Sequence, residues 1–165
     1  MSHATVLQIN VSRGGVPKLP VAKGIVTAKG LDGDGYAHPA IHGGPQQAIL
    51  IITTEGIEEL KASGYSLFPG ALGENITSQG LDRHQVRAGQ RYRVGEVILE
   101  VTKIRRPCET LHVYGTGIQK SVYDADVKAG DAGSARWGLS GFYCSVVQPG
   151  TIRPGDPIAL LDQSA

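Results

Sequence analysis

The chain is poor in cysteine, in aromatic residues and in charge. It has two cysteines, Cys108 and Cys144, in 165 residues. Two are too few for a disulfide scaffold, so we expect a reducing compartment. Charged residues make up 19% of the chain and the net charge is +1. Because this balance creates no strong field of one sign, neither nucleic acid nor a membrane is expected as a partner.

Targeting and nucleotide-binding patterns are also absent. Residues 1–6 have no basic start followed by a long apolar run, so we expect no signal peptide, no transmembrane helix and a cytoplasmic protein. The sequence contains neither a Gly-x-x-x-x-Gly-Lys-Ser/Thr loop nor a Gly-x-Gly-x-x-Gly helix start. His38 and His42 have the spacing of a helical zinc pair, but Pro39 between them argues against a helix.

Glycine is abundant, with 23 residues, and it separates short runs of β-forming residues. These runs predict strands at residues 6–11, 21–28, 48–54, 91–94, 97–104, 142–147 and 157–161. Helical signals are few. They predict a short helix at residues 54–61 with Thr54 as its N-cap, and short helices after Cys108 and at 118–127. We therefore expect one domain over residues 1–165, mainly β, closed or nearly closed into a barrel.

Cys108 follows a predicted strand that ends in Arg105-Arg106-Pro107. Proline ends the strand because it has no N–H for the ladder. Two guanidinium groups just upstream could hold the thiol as a thiolate, the form that attacks electrophiles and binds soft metals. The alternative is a half-buried cysteine without chemistry, since free cysteine behaves as a small hydrophobe.

Two glycine-rich segments are candidates for ligand binding. In His42-Gly43-Gly44-Pro45 the glycines would allow a ligand close to the backbone, and His42 offers a donor or proton carrier. Residues 69–77 combine a backbone bend with the Asn75 amide and the Thr77 hydroxyl. The alternatives are a tight turn for the first segment and an Asx-type turn for the second.

The order of these segments resembles the MOSC domain, which occurs at the C-terminus of molybdenum cofactor sulfurases and in related molybdenum proteins. The resemblance covers about residues 8–156. Its segments are Gly30-Leu31-Asp32-Gly33-Asp34, His42-Gly43-Gly44-Pro45, Leu72-Gly73-Glu74-Asn75-Ile76-Thr77, Leu99-Glu100-Val101-Thr102 with Arg106-Pro107-Cys108, Gly141-Phe142-Tyr143 and Gly155-Asp156. It implies a mixed-strand β-barrel and a molybdopterin-type cofactor. Cys108 matches the family's cysteine, which carries sulfur or ligates molybdenum.

The resemblance also suggests which residues contact the cofactor. The phosphate of molybdopterin needs guanidinium, hydroxyl or N–H donors, and thiolate sulfur suits molybdenum. The candidate cofactor-binding residues are His42, Gly43, Gly44, Asn75, Thr77, Arg106 and Arg136, with Cys108 as the catalytic residue and metal ligand. Arg106 is favoured over Arg105 because strand alternation would place it on the Cys108 face. For Arg105 and Arg136, a solvated surface charge is the alternative.

Three functional hypotheses follow. The leading one is a MOSC enzyme that reduces N-hydroxylated compounds, with electrons from a separate redox partner because the sequence has no flavin or iron–sulfur motif. The second is a sulfur-carrier module with a persulfide on Cys108, and the third is a non-catalytic barrel that binds a cofactor or a protein. No pyridoxal-phosphate-type domain precedes the predicted barrel, so a complete cofactor sulfurase is not expected. Cys144 alternates with Phe142 and Val146 and is expected to be structural.

Overall fold

A computed structural model describes residues 3–35 and 44–161 of the chain. The strands in these ranges are β1 (Ala4–Val11), β2 (Leu19–Val21), β3 (Gly24–Thr27), β4 (Gly30–Leu31), β5 (Ile49–Thr53), β6 (Ile76–Gln79), β7 (Arg91–Val94), β8 (Val97–Ile104), β9 (Phe142–Gln148), β10 (Gly150–Ile152) and β11 (Pro157–Leu160). The α-helices are α1 (Thr54–Ala62), α2 (Ile118–Val122) and α3 (Ala125–Lys128). Short 3-10 helices occupy Pro45–Gln47, Arg83–Gln85 and Glu109–Tyr114.

Seven strands close into a barrel in the order β11-β7-β8-β9-β5-β6-β1, because β1 also pairs with β11. The pair β5–β6 is parallel and the other neighbouring pairs of the barrel are antiparallel. Strand β2 extends the sheet beside β1, while β10, β3 and β4 form a second, three-stranded sheet. Closure leaves no unpaired edge in the barrel wall. The expected mixed-strand barrel with few short helices is confirmed.

The barrel interior follows the period-2 pattern of the strands. In the hairpin β7–β8, Tyr92, Val94, Val97 and Leu99 are all buried and face the core. The turn between the two strands contains Gly95 at φ 57°, in the left-handed region that a mirror-image hairpin turn requires. This hairpin leads directly into the segment that carries Cys108.

A second hydrophobic cluster lies outside the barrel. It joins Ile57 and Leu60 of α1 to Leu111 and Ile118, which lie after Cys108 in the chain. The helical segment after Cys108 is thus packed onto the barrel through buried side chains. Among the described residues, no helix is both long enough and apolar enough to cross a bilayer.

Several predicted elements differ from the structure in detail. The N-cap of α1 is Thr53, not Thr54, and its hydroxyl accepts a hydrogen bond from Gly56 N at 3.1 Å. The predicted strand 21–28 covers the last residue of β2 and all of β3. These are separate strands, because β2 pairs with β1 whereas β3 joins the second sheet. The predicted helix 118–127 divides at Asp124, whose carboxylate caps α3 through Val127 N at 2.8 Å. The short strands β4, β6 and β10 were not predicted.

Candidate functional site

A cavity of about 210 Å³ lies beside the end of β8 and the start of β9. Its lining residues are Gln47, Lys103, Ile104, Arg106, Pro107, Cys108 and Tyr143. Lys103 and Arg106 are exposed, whereas Cys108 is half-buried. The cavity therefore combines one thiol with two cationic side chains at the point where the strand ends.

The backbone on both sides of Cys108 is held in place. The side chain of Leu111 is fully buried, and Leu111 N donates to Cys108 O at 3.2 Å. Gln119, on α2, donates through Nε2 to Pro107 O at 3.2 Å. The ring of His112 is hydrogen-bonded to Gln119 Oε1 at 2.6 Å. The backbone around Cys108 is therefore fixed by hydrogen bonds and by the buried side chain of Leu111.

The thiol of Cys108 has a hydroxyl neighbour. Its Sγ lies 2.8 Å from Thr110 Oγ1, within the first turn of the 3-10 helix Glu109–Tyr114. A hydroxyl can donate a hydrogen bond to a thiolate or accept one from a thiol. The sulfur therefore keeps a local partner in either protonation state.

The two adjacent arginines have different environments. Arg106 lines the cavity, whereas Arg105 is 5% exposed and is not a solvated surface charge. Nη1 of Arg105 donates to Leu72 O at 2.6 Å and to Ser140 O at 3.4 Å. Strand β8 ends at Ile104, before both arginines, so strand alternation does not extend to them; the cavity lining nevertheless includes Arg106 and not Arg105.

Glu74 is a buried acid that interacts with Arg105 and was not predicted as a site residue. It is 0% exposed, and its Oε2 accepts hydrogen bonds from Gly70 N at 3.0 Å and Thr77 Oγ1 at 2.8 Å. Its Oε1 has no hydrogen-bond partner among the described residues. Burial raises the pKa of Glu74, although those hydrogen bonds and the charge of Arg105 act in the opposite direction. The neutral carboxyl is therefore favoured more than at an exposed site.

Asn75 and Thr77, the predicted cofactor contacts, are 4% and 0% exposed and are not among the residues that line the cavity. Asn75 Oδ1 accepts from Leu50 N at 3.0 Å, and its Nδ2 donates to Asp34 Oδ2 at 2.8 Å. Thr77 Oγ1 accepts from Asn10 Nδ2 at 3.1 Å. In this structure their polar atoms join β1, β5 and β6 to one another.

The other predicted contacts are dispersed. Arg136 is exposed and its Nη1 lies 3.5 Å from Asp124 Oδ2, away from the cavity lining. Gly44 precedes the 3-10 helix Pro45–Gln47, whose last residue lines the cavity. His42 and Gly43 lie outside the described residues. Of the predicted site residues that the structure describes, Cys108 and Arg106 are the two that share the cavity.

Lys103 and Tyr143 line the cavity but were not predicted as site residues. They face each other across β8 and β9, with Lys103 Nζ 5.9 Å from the centroid of the Tyr143 ring. The register shifts between Val101 and Lys103, which is a bulge. Without it, Lys103 would continue the buried series of Val97, Leu99 and Val101. Tyr143 belongs to the segment Gly141-Phe142-Tyr143, which is part of the family resemblance. Strand alternation alone cannot predict the bulge that places Lys103 opposite it.

The phenol of Tyr143 interacts with two neighbours in the site. Burial raises the pKa of Tyr143, and the charge of Arg105 and a hydrogen bond from its side chain act against that effect. Cys108 raises the pKa of the phenol further. The hydroxyl is therefore protonated at neutral pH and available as a donor.

A second cavity, of about 360 Å³, lies at the carboxyl ends of β5 and β6. Its charged groups are already paired with protein atoms: Arg83 Nη2 is 2.9 Å from Glu59 Oε2, and Glu55 Oε2 accepts from Gly80 N at 2.8 Å. No group of three or more histidine, cysteine, aspartate or glutamate side chains in the described ranges is placed to hold a metal ion. The Cys108 cavity is thus the stronger candidate site.

Comparison with known proteins gives one family. The family model of the MOSC domain matches residues 38–159. An uncharacterized protein of Bacillus subtilis, YflK, is 29% identical over 153 residues, covering 90% of this chain and 64% of that protein. Protein YiiM of Escherichia coli is 27% identical over 143 residues, covering 84% of this chain and 59% of that protein. The chain thus spans less than two thirds of the length of these curated relatives.

A protein from Gibberella moniliformis named Reductase is 28% identical over 144 residues, covering 83% of this chain and 23% of that protein. Among solved structures, YiiM from Geobacillus stearothermophilus matches with a TM-score of 0.71 at 26% identity, over 97% of this chain and 76% of that one. Escherichia coli YiiM matches with a TM-score of 0.68 at 22% identity, over 100% and 72%, which shows the shared fold.

Proposed function

Since the chain belongs to the MOSC domain family, we propose that its Cys108 cavity binds a molybdenum cofactor of the molybdopterin type. In this proposal Cys108 supplies the sulfur ligand to the metal. The family relates the chain to molybdenum-cofactor chemistry in general. The observation that carries the proposal is the presence of one thiol and two cations, Lys103 and Arg106, around one cavity.

The side chains of the cavity fit such a group in charge and in ligand type. A cysteine thiolate is a soft donor, as a molybdenum centre requires. The guanidinium of Arg106 can bind a phosphate through two parallel hydrogen bonds, and Lys103 adds a point charge. Ile104 and Pro107 add apolar surface to the cavity lining. When bound, the cofactor would supply a centre for two-electron redox chemistry.

We further propose that the protein reduces N-hydroxylated compounds with electrons from a separate redox partner. The name Reductase of the Gibberella relative supports a reductive reaction, although this chain covers only 23% of that protein. In this reaction Cys108 acts as the catalytic residue through its bond to the metal. Cofactor contacts from His42, Gly43, Gly44, Asn75, Thr77 and Arg136 remain predictions.

The test is metal and pterin analysis of the full chain purified from cells that make molybdopterin. We expect the molybdenum content of the wild-type protein to be proportional to the amount of protein. Cys108→Ser should lose the molybdenum, because a hydroxyl is a poor replacement for a soft sulfur ligand. Arg106→Gln should retain less pterin. The matched control is Arg93→Gln, which removes an exposed arginine of β7 outside the cavity lining.

Three results would each contradict a part of this proposal. A Cys108→Ser protein that retains the metal would exclude Cys108 as its ligand. Labile sulfur on Cys108 in a wild-type protein without molybdenum would instead favour the sulfur-carrier hypothesis. Equal pterin loss in the Arg106 and Arg93 variants would remove Arg106 from the site.

A further inference from the structure

We propose that Tyr143 is a ligand-contacting residue of this cavity, whose hydroxyl donates a hydrogen bond to an oxygen atom of the group bound beside Cys108. The inference deepens the proposed function, since it concerns the same cavity. The ligand chemistry that it requires is an oxygen acceptor, such as an oxyanion.

The first argument is the fixed position of the Tyr143 ring. The backbone of Tyr143 is part of β9, and its carbonyl oxygen accepts a hydrogen bond from Thr102 Oγ1 at 3.1 Å. The bulge in β8 places Lys103 opposite Tyr143, with Nζ 5.9 Å from the ring centroid. A cation at this distance attracts the face of the ring. The ring is therefore held between a strand and a cation while it lines the cavity.

The second argument is the direction in which the hydroxyl can donate. The guanidinium of Arg105 has donors only, so in any hydrogen bond between the two side chains the oxygen of Tyr143 is the acceptor. Arg105 itself is fixed by the carbonyl groups of Leu72 and Ser140. A hydroxyl whose oxygen accepts from Arg105 can still donate its own proton, and an oxygen atom of a group bound in the cavity is a suitable acceptor.

The third argument is the charge of the cavity. Lys103 and Arg106 line the same cavity as Tyr143 and Cys108. These two cations attract an oxyanion to the place where the Tyr143 hydroxyl can donate to it.

The inference is tested on the cofactor-free full chain with inorganic molybdate as the probe. Iodoacetamide modifies the Cys108 thiol, and bound molybdate should slow this reaction. In Tyr143→Phe the half-protecting molybdate concentration should rise about tenfold, as expected for the loss of one hydrogen bond to a charged acceptor. The control, Tyr123→Phe, removes the hydroxyl of a tyrosine outside the cavity lining and should protect like the wild type. The reaction rate without molybdate, compared with that of the urea-unfolded chain, reports whether each variant is folded.

The outcomes separate this inference from the proposed function. Equal protection of the wild type and Tyr143→Phe, or no protection of the wild type at all, would overturn the role of Tyr143. Metal analysis of protein from molybdopterin-producing cells decides the proposed function independently. A tenfold weaker protection in Tyr143→Phe would therefore support the inference even if purified wild-type protein contained no molybdenum.

Discussion

The buried acid Glu74 should make the folding stability of the protein depend on pH in an unusual direction. Burial raises its pKa in the folded state above the value of 4.5 for an exposed glutamate. Between these two pKa values the folded chain binds the proton and the unfolded chain does not. The stabilisation from the neutral carboxyl is complete below about pH 4.5 and is lost as the pH rises through the folded pKa. One proton corresponds to about 1.4 kcal/mol of unfolding free energy per pH unit within that window.

The perturbation that isolates this effect is Glu74→Gln, which keeps the shape of the side chain and removes its titration. The glutamine oxygen can still accept from Gly70 N and the Thr77 hydroxyl. Its amide group would take the place of Oε1, which has no partner among the described residues. An unpartnered buried amide costs about 1–3 kcal/mol, but this cost does not change with pH. The slope with pH, rather than the absolute stability, therefore reports the titration of Glu74.

The assay is urea denaturation of both proteins at half-unit steps from pH 4.5 to pH 8. The unfolding free energy of the wild type should fall relative to that of Glu74→Gln as the pH rises, and the difference should then become constant. The control is Glu58→Gln, which replaces an exposed carboxylate of α1. Its profile should remain parallel to that of the wild type. Parallel profiles for Glu74→Gln as well would refute the reasoning that burial outweighs the hydrogen bonds and Arg105.

The remaining predictions concern the thiols and a buried ion pair. Iodoacetamide should modify half-buried Cys108 much faster than Cys144, because Cys144 is 0% exposed and burial raises its pKa to about 12; preferential labelling of Cys144 on peptide mapping would contradict this. Cys108→Ser should change the urea-derived unfolding free energy by no more than about 0.5 kcal/mol, since it opens no core cavity. Asp34→Ala should lower that free energy by about 3 kcal/mol, because it leaves the buried Lys18 ammonium, 2.6 Å from Asp34 Oδ1, without its counter-charge. A loss below about 1 kcal/mol in Asp34→Ala would show that the pair is effectively solvated.

Much of the fold is predictable from the chain because long strands have strong local signals. The hairpin strands Arg91–Val94 and Val97–Ile104 were predicted with the bounds that the structure has, since two apolar alternating runs flank a two-residue turn. The short strand Ile76–Gln79 was interpreted as part of a glycine-rich ligand loop. Its strand structure depends on pairing with β1 and β5, and neither contact is visible in four residues.

The candidate site was predictable to the extent that residue type and chain position determine it. Cys108 and Arg106 are two residues apart, so a strand end brings both to one cavity. Asn75 and Thr77 have the donors that a phosphate needs, but donors of the same type also join strands. Their burial and their bonds to backbone and side-chain atoms of distant segments depend on the tertiary fold. Residue type alone could not distinguish these two roles.

The charge of the cavity likewise depends on the tertiary structure rather than on composition. The chain has a net charge of only +1, but three cations, Lys103, Arg105 and Arg106, lie within four consecutive positions at the end of β8. Lys103 lies at a bulge in β8 and lines the cavity together with Arg106, whereas Arg105 is buried and does not line it. Because burial favours the neutral form of Glu74, the acid beside Arg105 compensates its charge less than an ionised carboxylate would.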